Sequence, residues 1–260
     1  MNSNSDAADG RHTTPGGITG ENLLIPESGS GPGLLLLADG QVPETAVQAR
    51  ARLFAEEGYV TAVLCGALAA PDVREAAIRL KDSAETTGGP VCVAHGDIAG
   101  AALDAADTFA ALVIFDAPGV AGRAGDYMSL PCPVVFQFGT LDATDATAAA
   151  GLAGRLNSGN GSRLYVWPEA APGFALPGHA AFDSRVDSLA HTRTLEVIRR
   201  VVGPHYDYEA LFAEHVRHEF ETRDVDATMA TMIGDPYVNH VATLAGGVGH
   251  DMLKRFYKYH

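Results

Sequence analysis

Short apolar runs alternate with amphipathic stretches from residue 21 to about residue 203. The runs cover residues 33–37, 60–64, 91–94, 112–115, 134–138 and 164–166. They are apolar along nearly their whole length, which is typical of strands buried on both faces. Between the first two runs, Val47, Ala51 and Phe54 fall on one face of a helix predicted over residues 44–57. This alternation predicts an α/β fold whose sheet is mostly parallel, doubly wound and covered by helices.

The two ends of the chain have different patterns. Residues 1–20 contain almost no large apolar side chains and are predicted to form a flexible tail. Residues 204–260 hold six of the ten histidines and predict a mainly helical, partial α+β segment. Its first helix carries an apolar stripe of Phe212, Val216 and Phe220. Because so short a segment cannot enclose a core, we expect it to dock on residues 21–203 or to form a twofold homodimer.

Charge and composition narrow the possible partners. Eighteen Lys and Arg against 32 Asp and Glu give a net charge of −14, which repels phosphate backbones and anionic lipids. We therefore expect neither nucleic acid nor a membrane as a partner. The longest aliphatic run, residues 34–38, is too short to span a bilayer, and residues 1–20 lack the apolar core of a secretory signal, so a cytoplasmic protein is predicted. The odd number of cysteines favours reduced core thiols over disulfides or a zinc site.

Candidate chemistry follows the predicted strands, since reactive groups of doubly wound sheets lie at the carboxyl ends of strands. After the strand 91–94 comes HGDIAG at residues 95–100, a small-residue turn before a helix, which is the setting of a nucleophile elbow. Asp97 stands at the elbow position, and a positive φ is expected there. Asp142 follows the strand 134–138 and could orient a histidine. For both carboxylates, a structural role as a turn or helix cap is the alternative.

Three motifs resemble the dienelactone hydrolase family of α/β-hydrolases. They are FAEEGYVTAVLCGAL at residues 54–68, FGTLD at residues 138–142 and APGF at residues 171–174. The resemblance covers about residues 21–203. It implies a hydrolase of small esters or lactones that needs no metal or cofactor. It also implies oxyanion donors from the backbone at Ala38 and Ile98, with Asp142 as the triad acid.

The chain departs from that family at two triad positions. Asp97 stands where the family has its thiol nucleophile, and Pro172 stands where it has histidine; Leu37 also replaces a common glutamate. His179, seven residues past Pro172, is the candidate substitute base. We therefore expect at most weak ester hydrolysis. The alternative is a catalytically silent fold that binds a small molecule or serves assembly.

The C-terminal segment carries a second resemblance. Its stretch HEFETRDVDATMATMIGDPYVNHV, residues 218–241, is similar to the opening of a SnoaL-like, nuclear transport factor 2-type domain. Such domains enclose a pocket, so polar pocket residues are expected at Tyr237, Asn239 and His240. The resemblance implies an isomerase or cyclase as a further alternative. A metal site is not expected.

Overall fold

The computed structural model describes residues 23–117, 130–140, 143–156, 161–234 and 236–259. The chain divides into two compact units, of which the first ends at Pro204 and the second begins at His205. None of the helices in these described ranges is long and apolar enough to cross a membrane.

The first unit is a seven-stranded sheet covered by helices on both faces. Its strands are β1 (Leu23–Leu24), β2 (Gly33–Ala38), β3 (Val60–Cys65), β4 (Val91–His95), β5 (Ala111–Phe115), β6 (Val134–Phe138) and β7 (Arg163–Val166). Its helices are α1 (Glu44–Glu56), α2 (Ala70–Lys81), α3 (Ala99–Asp104), α4 (Ala143–Leu156) and α5 (Ser184–Val202). The sheet order is β1-β3-β2-β4-β5-β6-β7, and only β1 runs antiparallel to its neighbour.

The alternation of side chains along the strands creates two apolar layers. Leu34 and Leu36 of β2 face the layer that contains Phe54 of α1 and Ile198 of α5. Leu35 and Leu37 face the opposite layer, which α2, α3 and α4 cover. Each of the six predicted strands is confirmed to within one residue at either end, as is the mostly parallel sheet. The two-residue β1 was not predicted because so short a run carries no periodicity.

The second unit consists of three helices and a hairpin. Its elements are α6 (Tyr208–Val216), a π-helical turn (Arg217–Thr222), α7 (Val225–Ala230), β8 (Tyr237–His240), β9 (Ala245–Val248) and α8 (Gly249–Tyr259). The strands β8 and β9 pair antiparallel. Sequence AGGV gives β9 no strand signal, so it was not predicted.

Much of the apolar surface of the second unit is exposed. Phe212 and Phe220, both from the predicted stripe, are 68% and 66% exposed. Met229 and Leu253 are buried. Tyr237, Asn239 and His240 are also exposed, and the His240 ring makes a hydrogen bond of 2.7 Å with the Thr243 hydroxyl. A pocket at these three residues, a SnoaL-like domain and a homodimer all stay predictions.

Candidate functional site

A cleft of about 280 Å³ opens at the carboxyl ends of the central strands of the first unit. The loops after β2, β4, β5 and β7 form its walls, as expected for a doubly wound sheet. Its lining residues are Asp39, Gln41, Val42, His95, Gly96, Asp97, Asp116, Pro172, Gly173, Leu176 and His179. Three carboxylates and two imidazoles therefore meet in one small space.

The turn after β4 differs from the predicted elbow in one respect that decides its chemistry. β4 ends at His95, and residues Gly96–Ile98 form one 3₁₀ turn that leads into α3. The residue with positive φ is Gly96, at +80°, and Asp97 has no positive φ. The expectation of a strained Asp97 was therefore wrong. Glycine adopts such a conformation without steric cost, so the turn was built at the residue that tolerates it.

The position of the elbow nucleophile thus falls on a residue without a side chain. Asp97 is exposed in the middle of the 3₁₀ turn, one residue later. The space beside Gly96 is filled from the loop after the neighbouring strand β2, because a Cβ added at Gly96 would overlap with Oδ2 of Asp39. The backbone N–H of Gln41 donates to the other oxygen, Oδ1, at 2.9 Å and fixes the carboxylate. An aspartate of β2's loop occupies the place where a nucleophile would begin.

Asp116 ties three loops together at the other side of the cleft. It follows β5 with φ +46°. Its Oδ1 accepts the N–H of Gly139 at 2.7 Å, and its Oδ2 accepts the N–H of Gly173 at 2.8 Å. Burial raises the pKa of this carboxyl, while the two N–H donors and the nearby His179 oppose that rise.

His179 lies at the cleft but is oriented as a hydrogen-bond donor. Its ring lies against Gly173, where a Cβ would overlap with the imidazole. Its Nδ1 accepts the N–H of Ala181 at 3.1 Å. A neutral imidazole that accepts at Nδ1 carries its proton at Nε2. His179 therefore reaches the site, as the sequence suggested, yet in this orientation its Nε2 cannot take a proton from a nucleophile.

His95 is a buried, neutral imidazole at the floor of the cleft. It is 3% exposed and stacks on Phe115, with ring centroids 4.5 Å apart. Its Nε2 has no hydrogen-bond partner. Burial lowers the pKa of His95 well below its ordinary value, and the charge of Arg50 lowers it further.

Arg50 lies beneath the site and is fully buried. Its Nη1 donates to Oδ1 of Asp187 at 2.8 Å. Its guanidinium lies 5.3 Å from the ring centre of Phe54 and 5.8 Å from that of Phe115. Asp187 thus pairs with one nitrogen of the guanidinium, whose Nε and Nη2 have no hydrogen-bond partner among the described residues, and Arg50 does not belong to the cleft lining.

The remaining predicted site residues have mixed outcomes. Asp142 lies outside the described residues. Ala38 is fully buried at the end of β2, opposite His95 in the parallel ladder, and Ile98 is buried at the end of the 3₁₀ turn. Their service as oxyanion donors stays a prediction. Among the described residues, no group of three or more His, Cys, Asp or Glu could hold a metal ion.

Sequence reasoning missed Asp39 and Asp116. Both directly follow predicted strands, β2 and β5 respectively. The strand-end rule was applied to β4, β6 and β7 and would have found both aspartates if applied to every central strand. Leu37, which stands where the resemblance places a glutamate, points into the core, whereas Asp39 reaches the turn at Gly96.

Comparison with solved structures identifies the fold. The dienelactone hydrolase of Anabaena variabilis is 17% identical, with a TM-score of 0.55, and the match covers 69% of this chain and 90% of that one. A dienelactone hydrolase-like promiscuous phosphotriesterase from metagenomic libraries is 16% identical, with a TM-score of 0.54, and the match covers 68% of this chain and 90% of that one. The chain has the α/β-hydrolase fold.

A third similar structure is the esterase domain of a Rhodothermus marinus protein. It is 15% identical, with a TM-score of 0.52, and the match covers 68% of this chain and 90% of the domain. No protein-family model matches the chain, and no curated protein matches it. At these identities the α/β-hydrolase likeness concerns the fold, and the chemistry has to be argued from the cleft.

Proposed function

We propose that this chain is an α/β-hydrolase-fold protein that binds a small molecule in the cleft and forms no acyl-enzyme with it. One observation carries the proposal: the positive-φ residue of the turn after β4 is Gly96. Nucleophilic catalysis needs a hydroxyl, thiol or carboxylate at that point, presented to the substrate by the strained turn. Glycine offers none.

The rest of the triad supports the same proposal. Pro172 has no ionisable group where the resemblance places histidine. His179 presents a donor at Nε2, since its Nδ1 is taken by the N–H of Ala181. Asp39 fills the space beside Gly96. A substrate carbonyl in this cleft would meet carboxylates, which repel a developing oxyanion instead of stabilising it.

Direct hydrolysis by an activated water is the second candidate function. It is favoured by the carboxylates of Asp39 and Asp116 at the strand ends and by the dienelactone hydrolase-like structures that share the fold. A carboxylate could act as general base toward water without any covalent intermediate. This keeps the ancestral chemistry of small esters or lactones while replacing the lost nucleophile.

Ester turnover and covalent labelling separate the two candidates. The full chain would be mixed with p-nitrophenyl acetate and with dihydrocoumarin, a lactone, and hydrolysis would be followed by absorbance. Intact-protein mass spectrometry would detect an acetylated species. We expect the native chain to show no hydrolysis above the rate of a boiled sample and no acetyl adduct. The Asp82→Asn variant is the folded control and should give the same result. Asp82 is exposed and lies outside the cleft.

Either positive result has a definite meaning. An acetyl adduct within the cleft would contradict the proposal outright. Turnover at about 1 per second or faster, lost on Asp39→Asn but kept by Asp82→Asn, would establish the second candidate in its place.

A further inference from the structure

Two polar atoms that reach the cleft have no partner in the part of the chain that is described. His95 is 3% exposed, and its buried Nε2 has no hydrogen-bond partner. Oδ2 of Asp39 makes no hydrogen bond, since the N–H of Gln41 goes to Oδ1. A buried, unpaired atom such as Nε2 of His95 costs free energy, and native proteins usually retain one where a ligand or water completes it. Asp39 is half-buried, so its Oδ2 is accessible to a ligand.

The acidic side chains of the cleft lining outnumber the basic ones. Asp39, Asp97 and Asp116 line the cleft, and no Lys or Arg among the described residues does so. Arg50, the nearest buried cation, faces Asp187 instead. Carboxylates within a recessed space focus a negative potential on it.

We propose that the cleft binds a small organic cation with a primary ammonium group, whose N–H bonds go to Asp39 Oδ2 and to a nitrogen of His95, with the other carboxylates of the lining contributing negative charge. A neutral imidazole offers one acceptor nitrogen, so it can take an ammonium N–H. The side chains of Val42 and Leu176 supply apolar surface for a short carbon substituent. This inference rests on the proposed function, because a ligand can reside in the cleft only if no covalent turnover consumes it.

Matched probes test the charge. Benzylammonium, benzyl alcohol and benzoate share one ring and differ at the group that would meet the carboxylates. Their binding to the full chain would be measured by titration calorimetry at neutral pH and low salt. We expect benzylammonium to bind about tenfold or more tightly than benzyl alcohol, since hydrogen bonds between charged groups are the stronger ones. Benzoate should bind most weakly.

Variants then assign the contacts. Asp39→Asn keeps the shape and the acceptor for the Gln41 N–H but removes the charge, and it should weaken benzylammonium about tenfold. His95→Phe keeps the ring on Phe115 and removes both nitrogens, so it should weaken the same probe by a similar factor. Asp82→Asn removes one exposed charge far from the lining and should change affinity less than twofold, in line with screening of surface charges.

The outcomes separate this inference from the proposed function. Equal binding of benzyl alcohol and benzylammonium, or benzylammonium affinity that Asp39→Asn leaves unchanged, would overturn the cation inference while the absence of acyl-enzyme chemistry stood. Hydrolysis of p-nitrophenyl acetate with an acetyl adduct would overturn the proposed function. If His95→Phe fails to fold, Asp39→Asn alone still decides the result.

Discussion

Two aspartates stand at opposite walls of the cleft, and their surroundings differ. Asp116, after β5, accepts N–H groups from Gly139 and Gly173 on its two oxygens. Asp39, after β2, has one oxygen held by Gln41 and the other unpaired beside Gly96. A carboxylate whose two oxygens are engaged by the protein's own backbone stabilises the fold, whereas one that keeps an oxygen open is available to water or to the ligand proposed above. A carboxylate's place at a strand end therefore does not by itself define its function.

The two histidines of the cleft lining, His179 and His95, also differ in whether the protein pairs their ring nitrogens. His179, on the Asp116 side, has Nδ1 engaged by the backbone of Ala181. His95, at the end of β4 and stacked on Phe115, has an unpaired Nε2 despite its burial. Asp116 and His179 therefore stabilise loop positions, whereas Asp39 and His95 retain polar atoms that the fold does not use.

The largest effect is expected from removing the Asp116 carboxylate. Asp116→Ala leaves the N–H groups of Gly139 and Gly173 without their acceptor, and each unpaired group costs about 1–3 kcal/mol. We expect the free energy of unfolding to fall by about 2–5 kcal/mol in urea titrations. Asp116→Asn keeps one acceptor oxygen and tolerates the positive φ, so it should lose about half as much.

The same substitution at Asp39 is the control for this prediction. Asp39→Ala removes a carboxylate with a single backbone contact, and we expect a loss of about 1 kcal/mol or less. A larger loss at residue 39 than at residue 116 would reverse the proposed roles of the two aspartates.

A pH dependence is expected from His95. Burial holds the pKa of His95 well below its ordinary value, so the unfolded chain takes up a proton near pH 6.5 that the folded chain does not. Stability from the neutral ring is therefore present above about pH 6.5 and lost as pH falls toward the folded pKa. Relative to His95→Phe, the free energy of unfolding of the native protein should fall as the pH is lowered from about 7 to about 5, by at most about 1.4 kcal/mol for each pH unit.

Urea titrations at several pH values measure this difference directly. The His95→Phe variant corrects for all other titrating groups, since it keeps the ring stacked on Phe115 and removes only the imidazole. Parallel stability curves for the two proteins between those pH values would show that His95 is protonated in the fold, contrary to its burial.

The sequence predicted the sheet because strands that are buried on both faces are apolar along their whole length. Residues 34–37 are fully buried in β2, and no polar residue interrupts that run. The site depended on a finer property, namely which residue in HGDIAG takes the positive φ. Motif alignment placed it at Asp97, while backbone sterics favoured glycine at residue 96. Residue type within the turn was the signal that could have corrected the alignment.

Long-range contacts explain what sequence could not supply. Asp39 and Gly96 are far apart along the chain, and only the parallel pairing of β2 with β4 brings their loops together. Asp116 likewise meets Gly139 and Gly173 through the pairing of β5 with β6 and the loop after β7. A sequence scanned strand by strand shows each aspartate but not its partner.

A smaller effect is expected at Gly96. Gly96→Ala forces a side chain into a φ of +80° and against Oδ2 of Asp39. We expect a loss of about 1–2 kcal/mol in the free energy of unfolding. Gly100→Ala is the matched control, because Gly100 lies in α3 with no heavy atom within 4 Å of the added Cβ. That substitution should be neutral or should stabilise by up to about 1 kcal/mol. Equal losses at both glycines would contradict the special conformation of Gly96.

The smallest expected effect is the coupling between Gly96 and Asp39. The cost of Gly96→Ala has two parts, the positive φ and the overlap with the Asp39 carboxylate. Asp39→Ala removes only the second part, so Gly96→Ala should cost less in the Asp39→Ala background than in the native one. Contacting residues couple by about 0.5–3 kcal/mol, and a flexible carboxylate places this pair near the lower limit. Urea titrations of the two single variants and the double variant measure the coupling. Additive losses would show that Asp39 moves aside without cost, and the space beside Gly96 would then be open to a nucleophile instead of closed by the β2 loop.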